Sequence, residues 1–340
     1  MSDVARIVED VRRRGDAALL EWARRLDGVE PTRAQAAGEV PKEAILALAD
    51  RVERWHAAQR PVDVELEIEP GVRLERRWVP LRSVGIYVPR GLVSTLVMCA
   101  VPARVAGVER IVVCTPPSGA ETVAAAATLL DIEEVWALGG PQAIAALAYG
   151  TESIAAVDKI VGPGSAYVNE AKLLVSRDVA IDLPAGPSEV LVVAGADADE
   201  HVAELELAAQ AEHGQDSVCR LVRADGDLGP VLAEIEQTAP EHLVLLGEGP
   251  ESLADRVRNA GAVFVGSWSP VAAGDYATGG NHVLPTGGWA RAVGGLGLET
   301  FLKPVTVQRL TQEGLERLLP TIEALAAVEG MPAHAEAARR

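Results

Sequence analysis

Four of the six histidines in the chain stand near a second polar side chain with which they could share chemistry. These pairs are Gln210 with His213, Glu241 with His242, Asp275 with His282, and Glu329 with His334. Each pair alone is also explained by ordinary structure, as a helix-end cation, a turn residue or an exposed tail. If the pairs converge, two imidazoles, a carboxylate and an amide oxygen would suit a borderline divalent ion such as zinc. The adjacent Glu241 and His242 would add two proton-transfer groups of different pKa.

The first pair lies in the stretch ELELAAQAEHGQDS (204–217), which has the periodicity of the end of an amphipathic helix. Its inward-facing stripe is predicted to consist of Val202, Leu205, Ala209 and His213. Gln210 stands one turn before His213 at the margin of that stripe, and Gly214 is typical of a helix end. Two side chains with lone pairs are therefore expected to point inward, where an apolar residue would pack better.

A second set of candidates stands at junctions between predicted strands and helices. The segment VGPGSAYV places small residues before Ser165, a favourable N-cap, and a helix N-terminus of this kind suits a phosphate. The segments YVPRG and LGGPQ occupy equivalent positions, and ligands of open parallel sheets gather at the carboxyl ends of the strands. No GxGxxG fingerprint is present, and ordinary βα turns also explain these glycines and prolines.

The elements that must position these residues alternate between strands and helices from Val84 onwards. Short apolar strands such as RIVVCTPP and EVWALGG are separated by helical segments such as AETVAAAATLLDI. This alternation predicts βαβ units and parallel sheets with helices on both faces. It resumes after IDLPAGPSEVLVVAG, which indicates a second α/β unit. The first eighty residues and the tail from Leu298 are predicted to be mainly helical.

The composition argues against several classes of protein. Asp and Glu total 49 against 31 Lys and Arg, a formal charge of −18, which disfavours nucleic acid or an acidic membrane as a partner. The three cysteines form no CxxC pair, so neither a disulfide framework nor a thiolate zinc site is expected. The N-terminal stretch has the pattern of a charged helix pair rather than a signal peptide, and no apolar run approaches membrane length. The chain is predicted to be soluble and cytoplasmic.

The polar clusters belong to the long motifs QAEHGQDS, APEHL, GDYATGGNHVLPT and EGMPAHA. Together with GIYVPRG, GGPQAIAALAYGT, VGPGSAYV and DLPAGPSEVLV, they closely resemble the histidinol dehydrogenase family, in the same order from about Val11 onwards. The resemblance implies a homodimeric enzyme that uses zinc and NAD to oxidise L-histidinol through L-histidinal to L-histidine, the last steps of histidine biosynthesis. In the family the zinc has no redox role and orients the imidazole and amino nitrogens of the substrate.

The resemblance also assigns roles to the polar clusters. The residues that match the zinc ligands are Gln210, His213, Asp275 and His334. Glu241 and His242 match the acid/base pair. His242 would take the hydroxyl proton of the alcohol, and Glu241 would activate the water that adds to the aldehyde.

Further positions match contacts to the substrate and the cofactor. The substrate contacts, besides His242 and the zinc ligands, are Ser188, His282 and Glu329. The cofactor contacts are Tyr87, Gln142 and Ser165. In the family the C-terminal tail reaches the partner subunit's site, so Glu329 and His334 would act in trans.

The predicted fold class is α/β, with two incomplete Rossmann-like parallel-sheet domains, a helical N-terminal segment and a helical C-terminal tail. Residues 1–86 and 188–296 would form the first domain, with the zinc and acid/base residues. Residues 87–187 would form the NAD-binding domain, and residues 297–340 the tail that reaches the partner subunit.

The chain departs from the family pattern in length and at two positions. It begins late, and several tens of residues are missing between His213 and Glu241. Ser165 stands where the family usually has Asn, and Arg90 stands where Gly is usual. These changes put one cofactor hydrogen bond in doubt but remove no catalytic group.

Two other functions stay open at this point. A related NAD-dependent dehydrogenase of another primary alcohol, such as a sulfonated diol, would share the zinc and the Glu–His pair. Retention of Ser188, His282 and Glu329 argues against it. A non-catalytic ligand-binding paralogue would have lost activity with the missing segment, and the intact acid/base pair argues against that function.

Overall fold

The computed structural model describes residues 2–183, 186–214 and 216–339. The helices are α1 (Asp3–Arg14), α2 (Asp16–Leu26), α3 (Lys42–Ala57), α4 (Val93–Ala106), α5 (Ala120–Leu129), α6 (Gly140–Tyr149), α7 (Ala166–Val175), α8 (Glu200–Ala211), α9 (Gly229–Thr238), α10 (Glu248–Glu251), α11 (Val271–Tyr276), α12 (Gln312–Val328) and α13 (Pro332–Ala338). The strands are β1 (Thr32–Arg33), β2 (Val64–Glu69), β3 (Val72–Pro80), β4 (Ser83–Tyr87), β5 (Arg110–Thr115), β6 (Glu134–Ala137), β7 (Lys159–Val161), β8 (Ala180–Ile181), β9 (Glu189–Gly195), β10 (Val218–Ala224), β11 (His242–Leu246), β12 (Ala262–Val265) and β13 (Leu302–Leu310). Pro184 and Ala185 of the motif DLPAGPSEVLV, and Gln215 of QAEHGQDS, lie outside the described residues.

Six strands form a sheet in the order β1-β6-β5-β4-β7-β8, in which all neighbours are parallel except the short edge strand β1. The central strands are rich in valine and isoleucine, as expected for a parallel sheet covered on both faces. The helices α1, α2, α6 and α7 share one buried core with residues of this sheet. Because β4 to β7 are parallel, the loops that follow them emerge along one edge.

Four parallel strands form a second sheet in the order β10-β9-β11-β12. Successive residues of its central strands face opposite sides. Leu191 and Val193 join α9 in one core, whereas Val190 and Val192 join α8 and α11 in another. Two parallel sheets flanked by helices confirm the predicted α/β fold class. None of the helices in the described ranges is long and apolar enough to cross a lipid bilayer.

Three further strands lie where helix was predicted, so that prediction was wrong for residues 64–80 and 302–310. These strands form an antiparallel sheet in the order β13-β3-β2. VELEIE and PVTV alternate with the period of a strand, and Pro70 and Gly71 supply the turn between β2 and β3. Gly71 has φ of +80°, which glycine adopts without strain. In the described part of the tail, Leu298–Phe301 forms a short 3₁₀ helix, and α12 and α13 are α-helical.

The chain divides into two compact units. The larger comprises Met1–Gln59 and Leu81–Phe301 and contains both parallel sheets, and the smaller comprises Arg60–Pro80 and Leu302–Arg340. This division differs from the three predicted domains. The strand β4 belongs to the six-stranded sheet, and the apolar face of α1 is buried against α6. The N-terminal helices are therefore packed with the six-stranded sheet, although they were predicted to join residues 188–296.

Candidate active site

Glu241 and His242 lie side by side at the amino end of β11, and both are buried. Glu241 Oε2 accepts a 2.6 Å hydrogen bond from Ser188 Oγ and a 2.8 Å bond from the backbone N–H of Glu189. Both donors stand at the amino end of β9, the neighbouring strand. The site therefore forms where two central parallel strands begin, and not at their carboxyl ends.

Burial moves the pKa values of the two adjacent groups in opposite directions. It raises the pKa of Glu241 to about 7, although the hydrogen bonds from Ser188 and Glu189 lower it. It lowers the pKa of His242 to about 4, so the imidazole is neutral at neutral pH. The carbonyl oxygen of Glu189 lies 3.1 Å from His242 Nδ1, so this nitrogen carries the proton of the neutral ring. The other nitrogen, Nε2, keeps a lone pair, as a general base requires.

Gln210 is joined to this pair through Ser188. Its side chain on α8 is buried, and its Nε2 donates a 2.8 Å hydrogen bond to Ser188 Oγ. A continuous chain of hydrogen bonds therefore runs from Gln210 through Ser188 to Glu241. Gln210 Oε1 is buried and has no hydrogen-bond partner among the described residues. Such a buried acceptor costs about 1–3 kcal/mol unless a ligand or an ion satisfies it.

The buried face of α8 differs from the predicted one. Its buried residues are Ala203, Glu206 and Gln210, whereas Leu205 is 54% exposed. His213 is exposed and lies just beyond the last helical turn. The predicted inward stripe was therefore wrong. It was placed on the face that carries the apolar Leu205, whereas the face that the structure buries carries the polar Glu206 and Gln210. Gln210, predicted at the margin, lies at the centre of the buried face.

His213, Asp275 and His282 lie within electrostatic range of one another and of the acid/base pair. Asp275 Oδ1 stands 3.9 Å from His282 Nδ1. Burial raises the pKa of Asp275 to about 6, while the charge of His213 lowers it. Burial lowers the pKa of His282 to about 4, and the charge of His213 adds to that effect. The pKa of His242 is lowered in the same way, first by burial and then by the charges of His213 and His282.

The remaining predicted residues of the zinc and substrate sites belong to the smaller compact unit. Glu329 follows the last turn of α12, His334 lies in α13, and both are exposed. The larger unit contains the others: Ser188, Gln210, His213, Glu241, His242, Asp275 and His282.

The three predicted cofactor residues follow or end strands of the six-stranded sheet. Tyr87 ends β4, its Oη accepts a 3.2 Å hydrogen bond from the backbone N–H of Gly140, and burial raises its pKa to about 12. Gln142 is fully buried on α6, donates a 3.1 Å bond to Asp27, and leaves Oε1 unpartnered within the described ranges. Ser165 occupies the N-cap position of α7, as predicted, but its exposed side chain makes no capping hydrogen bond.

Asp27 is bound by Gln142, one of the predicted cofactor residues, and was missed in the sequence. It follows α2 and accepts 3.1 Å hydrogen bonds from the backbone N–H of Gly139 and from Gln142 Nε2. Its partners are 112 and 115 residues away in the chain, so no local pattern connects them.

Glu206 lies between the elements that carry two predicted zinc ligands, and it was also missed in the sequence. Its buried carboxylate accepts a 3.1 Å hydrogen bond from the backbone N–H of Val271, the first residue of α11. It thereby ties α8, which carries Gln210, to the helix that carries Asp275. The sequence contained an indication of its position, because Glu206 stands one turn before Gln210 and therefore on the same face of the helix.

The donor atoms of this cluster fit a zinc ion. Gln210 Oε1 lacks a partner, and the His213 imidazole and the Asp275 carboxylate are common zinc ligands. A cation beside Asp275 would offset the burial that raises its pKa. Within the part of the chain that the structure describes, no group of three or more His, Cys, Asp or Glu side chains is placed to hold a metal. Of the four predicted zinc ligands, only His213 and Asp275 are side chains of these types in the larger unit, because Gln210 is an amide and His334 belongs to the smaller unit.

Comparison with known proteins identifies the family. The family model of histidinol dehydrogenase matches residues 1–238 and 226–340. The histidinol dehydrogenase of Vibrio vulnificus is 40% identical over 387 aligned positions, which cover 98% of this chain and 90% of that protein. The one from Methanothermobacter thermautotrophicus is 42% identical over 395 positions, which cover 100% and 93%. The crystal structure of the Elizabethkingia anophelis histidinol dehydrogenase matches with a TM-score of 0.91 at 34% identity, over 99% of this chain and 90% of that one.

Within the aligned regions, the relatives contain more residues than this chain. Both alignments are longer than its 340 residues, so the relatives contain positions that this chain lacks. The two matched segments of the family model overlap at residues 226–238, which puts a discontinuity between His213 and Glu241, where a missing segment was predicted. The match nevertheless extends over all the motifs described above. The chain therefore belongs to the histidinol dehydrogenase family.

Proposed function

We propose that this enzyme takes L-histidinol through L-histidinal to L-histidine in two successive NAD-dependent oxidations, as a zinc-dependent homodimer in the cytoplasm. Oxidation of histidinol in histidine biosynthesis is the activity of the family to which the chain belongs. The observation that carries the finer proposal is the chain of hydrogen bonds from the buried Gln210 through the partly buried Ser188 to the buried Glu241, with His242 beside it. It combines an unpartnered oxygen ligand, a carboxyl group with a pKa of about 7 and a neutral imidazole.

The zinc ion would be held by Gln210, His213, Asp275 and the partner subunit's His334. The unpartnered Oε1 of Gln210 supports this set, and so does the exposure of His334 in α13, which leaves that imidazole accessible to a second chain. When bound, zinc would orient the two nitrogen groups of the substrate, and NAD would accept a hydride in each oxidation.

His242 would act as the base of the first oxidation. Its Nδ1–H is held by the carbonyl oxygen of Glu189, which leaves the Nε2 lone pair to take the hydroxyl proton of histidinol. Burial keeps the ring neutral before the reaction, because it lowers the pKa to about 4. Proton removal from the hydroxyl then accompanies oxidation of the carbon that bears it.

Glu241 would act as the base of the second oxidation. With a pKa of about 7 it is partly ionised at neutral pH, and its carboxylate can take a proton from the water that adds to the aldehyde. The hydrogen bonds from Ser188 and Glu189 hold one of its oxygens in place. Adjacent residues thus serve the two steps with bases of different strength.

The other predicted residues would bind the substrate and NAD. The substrate contacts, besides His242 and the zinc ligands, would be Ser188, His282 and the partner subunit's Glu329. Tyr87, Gln142 and Ser165 would contact NAD, which the unpartnered, buried Oε1 of Gln142 supports. In this scheme residues 188–296 carry the zinc and acid/base groups, residues 87–187 bind NAD, and residues 297–340 reach the partner subunit.

The test is turnover by the purified, zinc-loaded enzyme with NAD. Formation of two NADH for each L-histidinol supports the proposal, and size-exclusion chromatography with light scattering should give a dimer. Absence of histidinol turnover together with oxidation of another primary alcohol, such as a sulfonated diol, would contradict it. Binding of zinc and histidinol without any reduction of NAD would indicate a non-catalytic paralogue instead.

A further inference from the structure

A buried ion pair lies beside the loop that carries Ser165. Lys172 on α7 and Asp182, which follows β8, are paired, and their side chains are 2% and 1% exposed. A charged pair at this depth pays a large desolvation cost, and apolar residues of similar volume often stabilise a fold as well or better. Stability alone therefore does not account for this pair, whereas the backbone groups that it binds do.

The pair encloses the backbone of Gly162, the first residue after β7. Lys172 Nζ donates a 2.9 Å hydrogen bond to the carbonyl oxygen of Gly162, and Asp182 Oδ2 accepts a 2.7 Å bond from its N–H. Both polar groups of one peptide position are thus fixed by side chains of opposite charge. Gly162 has φ of +106°, and a Cβ there would lie 2.2 Å from the carbonyl oxygen of Tyr87. The loop is therefore clamped against the end of β4, where Tyr87 stands.

The same carboxylate holds the next segment of the chain. Asp182 Oδ1 accepts a 2.7 Å hydrogen bond from the backbone N–H of Leu183. Leu183 begins the connection that leads from the six-stranded sheet to Ser188 and β9. One ion pair therefore fixes the loop that leads to Ser165 and the start of the segment that leads to Ser188.

We propose that Lys172 and Asp182 are positioning residues for dinucleotide binding, which they support by holding the loop 162–165 in place. This inference rests on the proposed function, because it assigns the loop and Tyr87 to NAD. Within the described residues, the two side chains form hydrogen bonds with Gly162 and Leu183 and not with the predicted substrate or zinc residues, so we expect the pair to act on cofactor affinity rather than on the chemical step. Loss of such a clamp lets the loop shift, and displacements of about 1 Å cost up to about a hundredfold in binding or rate.

The test compares Lys172→Met with the double variant Lys172→Met/Asp182→Asn and with wild type, all zinc-loaded. Both variants should raise the Kd and KM for NAD about tenfold or more, while zinc content and the KM for L-histidinol stay unchanged. The double variant leaves no unpaired buried charge, so it should recover thermal stability without recovering NAD affinity. Arg110→Met is the matched control, since Arg110 begins β5 in the same sheet, pairs with Glu134 and donates a 3.1 Å bond to the carbonyl oxygen of Ala155.

The outcomes separate this inference from the proposed function. Wild-type enzyme that reduces no NAD with histidinol defeats the proposed function itself. Wild-type activity with unchanged NAD affinity in Lys172→Met overturns only the positioning role. Recovery of both stability and NAD affinity in the double variant, or failure of both variants to fold, would show that the pair serves the fold alone. The same loss of NAD affinity in Arg110→Met would also overturn the proposal.

Discussion

The hydroxyl of Ser188 lies 2.6 Å from the carboxylate of Glu241 and donates a hydrogen bond to it. This bond favours the ionised carboxylate, whereas burial favours the neutral acid, and burial has the larger effect on the pKa. The serine therefore limits how far the pKa of Glu241 rises above its ordinary value. The pH dependence of any step that uses Glu241 as a base should respond to the loss of this one donor.

Ser188→Ala should move the acidic limb of L-histidinal oxidation to higher pH. In the proposed mechanism Glu241 is the base of this step, so the rate should rise as the pH rises through its pKa of about 7. Without the donor that pKa rises further, by about one unit for a hydrogen bond to a charged group. The pH–rate profile with L-histidinal and saturating NAD measures the shift. Ser188→Thr keeps a hydroxyl and is the control, and a limb that stays in place in both variants contradicts the role of Ser188.

Substitution of the two bases should separate the two oxidations. Glu241→Gln should form close to one NADH per L-histidinol, because the first base remains while the second step slows by about 10²–10⁴-fold. His242→Ala should slow the oxidation of L-histidinol by a similar factor and affect added L-histidinal less. Single-turnover measurements with each substrate check both expectations. Equal losses in both steps for both variants would argue against separate roles.

Glu241→Gln should stabilise the metal-free protein at alkaline pH. The folded state raises the pKa of Glu241 from an ordinary value of 4.5 to about 7, so the folded protein binds this proton more tightly than the unfolded chain does. Wild-type stability therefore falls as the pH rises from about 4.5 to about 7, and the full penalty remains above that range. The uncharged glutamine avoids it, which should gain about 1–3 kcal/mol near pH 8. Urea unfolding at several pH values measures the difference, which should vanish below about pH 4.5.

Glu206→Ala should weaken zinc binding without removing a ligand. The carboxylate holds the backbone N–H of Val271 at the start of α11, and that helix carries Asp275. Loss of an outer hydrogen bond of this kind typically costs about 10–100-fold in metal affinity. Competition with a chromogenic chelator measures the effect. Glu206→Gln keeps an acceptor oxygen and should retain most of the affinity, and an equal loss in both variants would point to the charge instead of the hydrogen bond.

The sequence predicted the elements of the larger unit well because their signals are local. The alternation of apolar strands with alanine-rich helices indicated both parallel sheets, and the N-cap position of Ser165 could be located from its neighbours. The strands β2, β3 and β13 were missed, although VELEIE in β2 and PVTV in β13 alternate with the period of a strand.

The site was harder to predict because its geometry is set by distant contacts. The apolar Leu205 suggested the wrong buried face for α8, and tertiary packing turned Glu206 and Gln210 inward instead. The general expectation for parallel sheets places ligands at carboxyl ends, but Glu241 and Ser188 lie at the amino ends of their strands. Asp27 reaches its partners over more than a hundred residues of chain, which no spacing rule captures.

The register between β9 and β11 explains why this family member tolerates a shorter chain. His242 is paired with Val190 by the ladder of hydrogen bonds, so the position of the acid/base pair does not depend on the length of the connection that precedes it. That connection begins at the exposed turn Asp225–Asp227, directly after β10. Surface connections of this kind can change in length at little entropic cost. For an engineer, the same turn is the natural place to insert a tag or a small sensor domain while leaving catalysis intact.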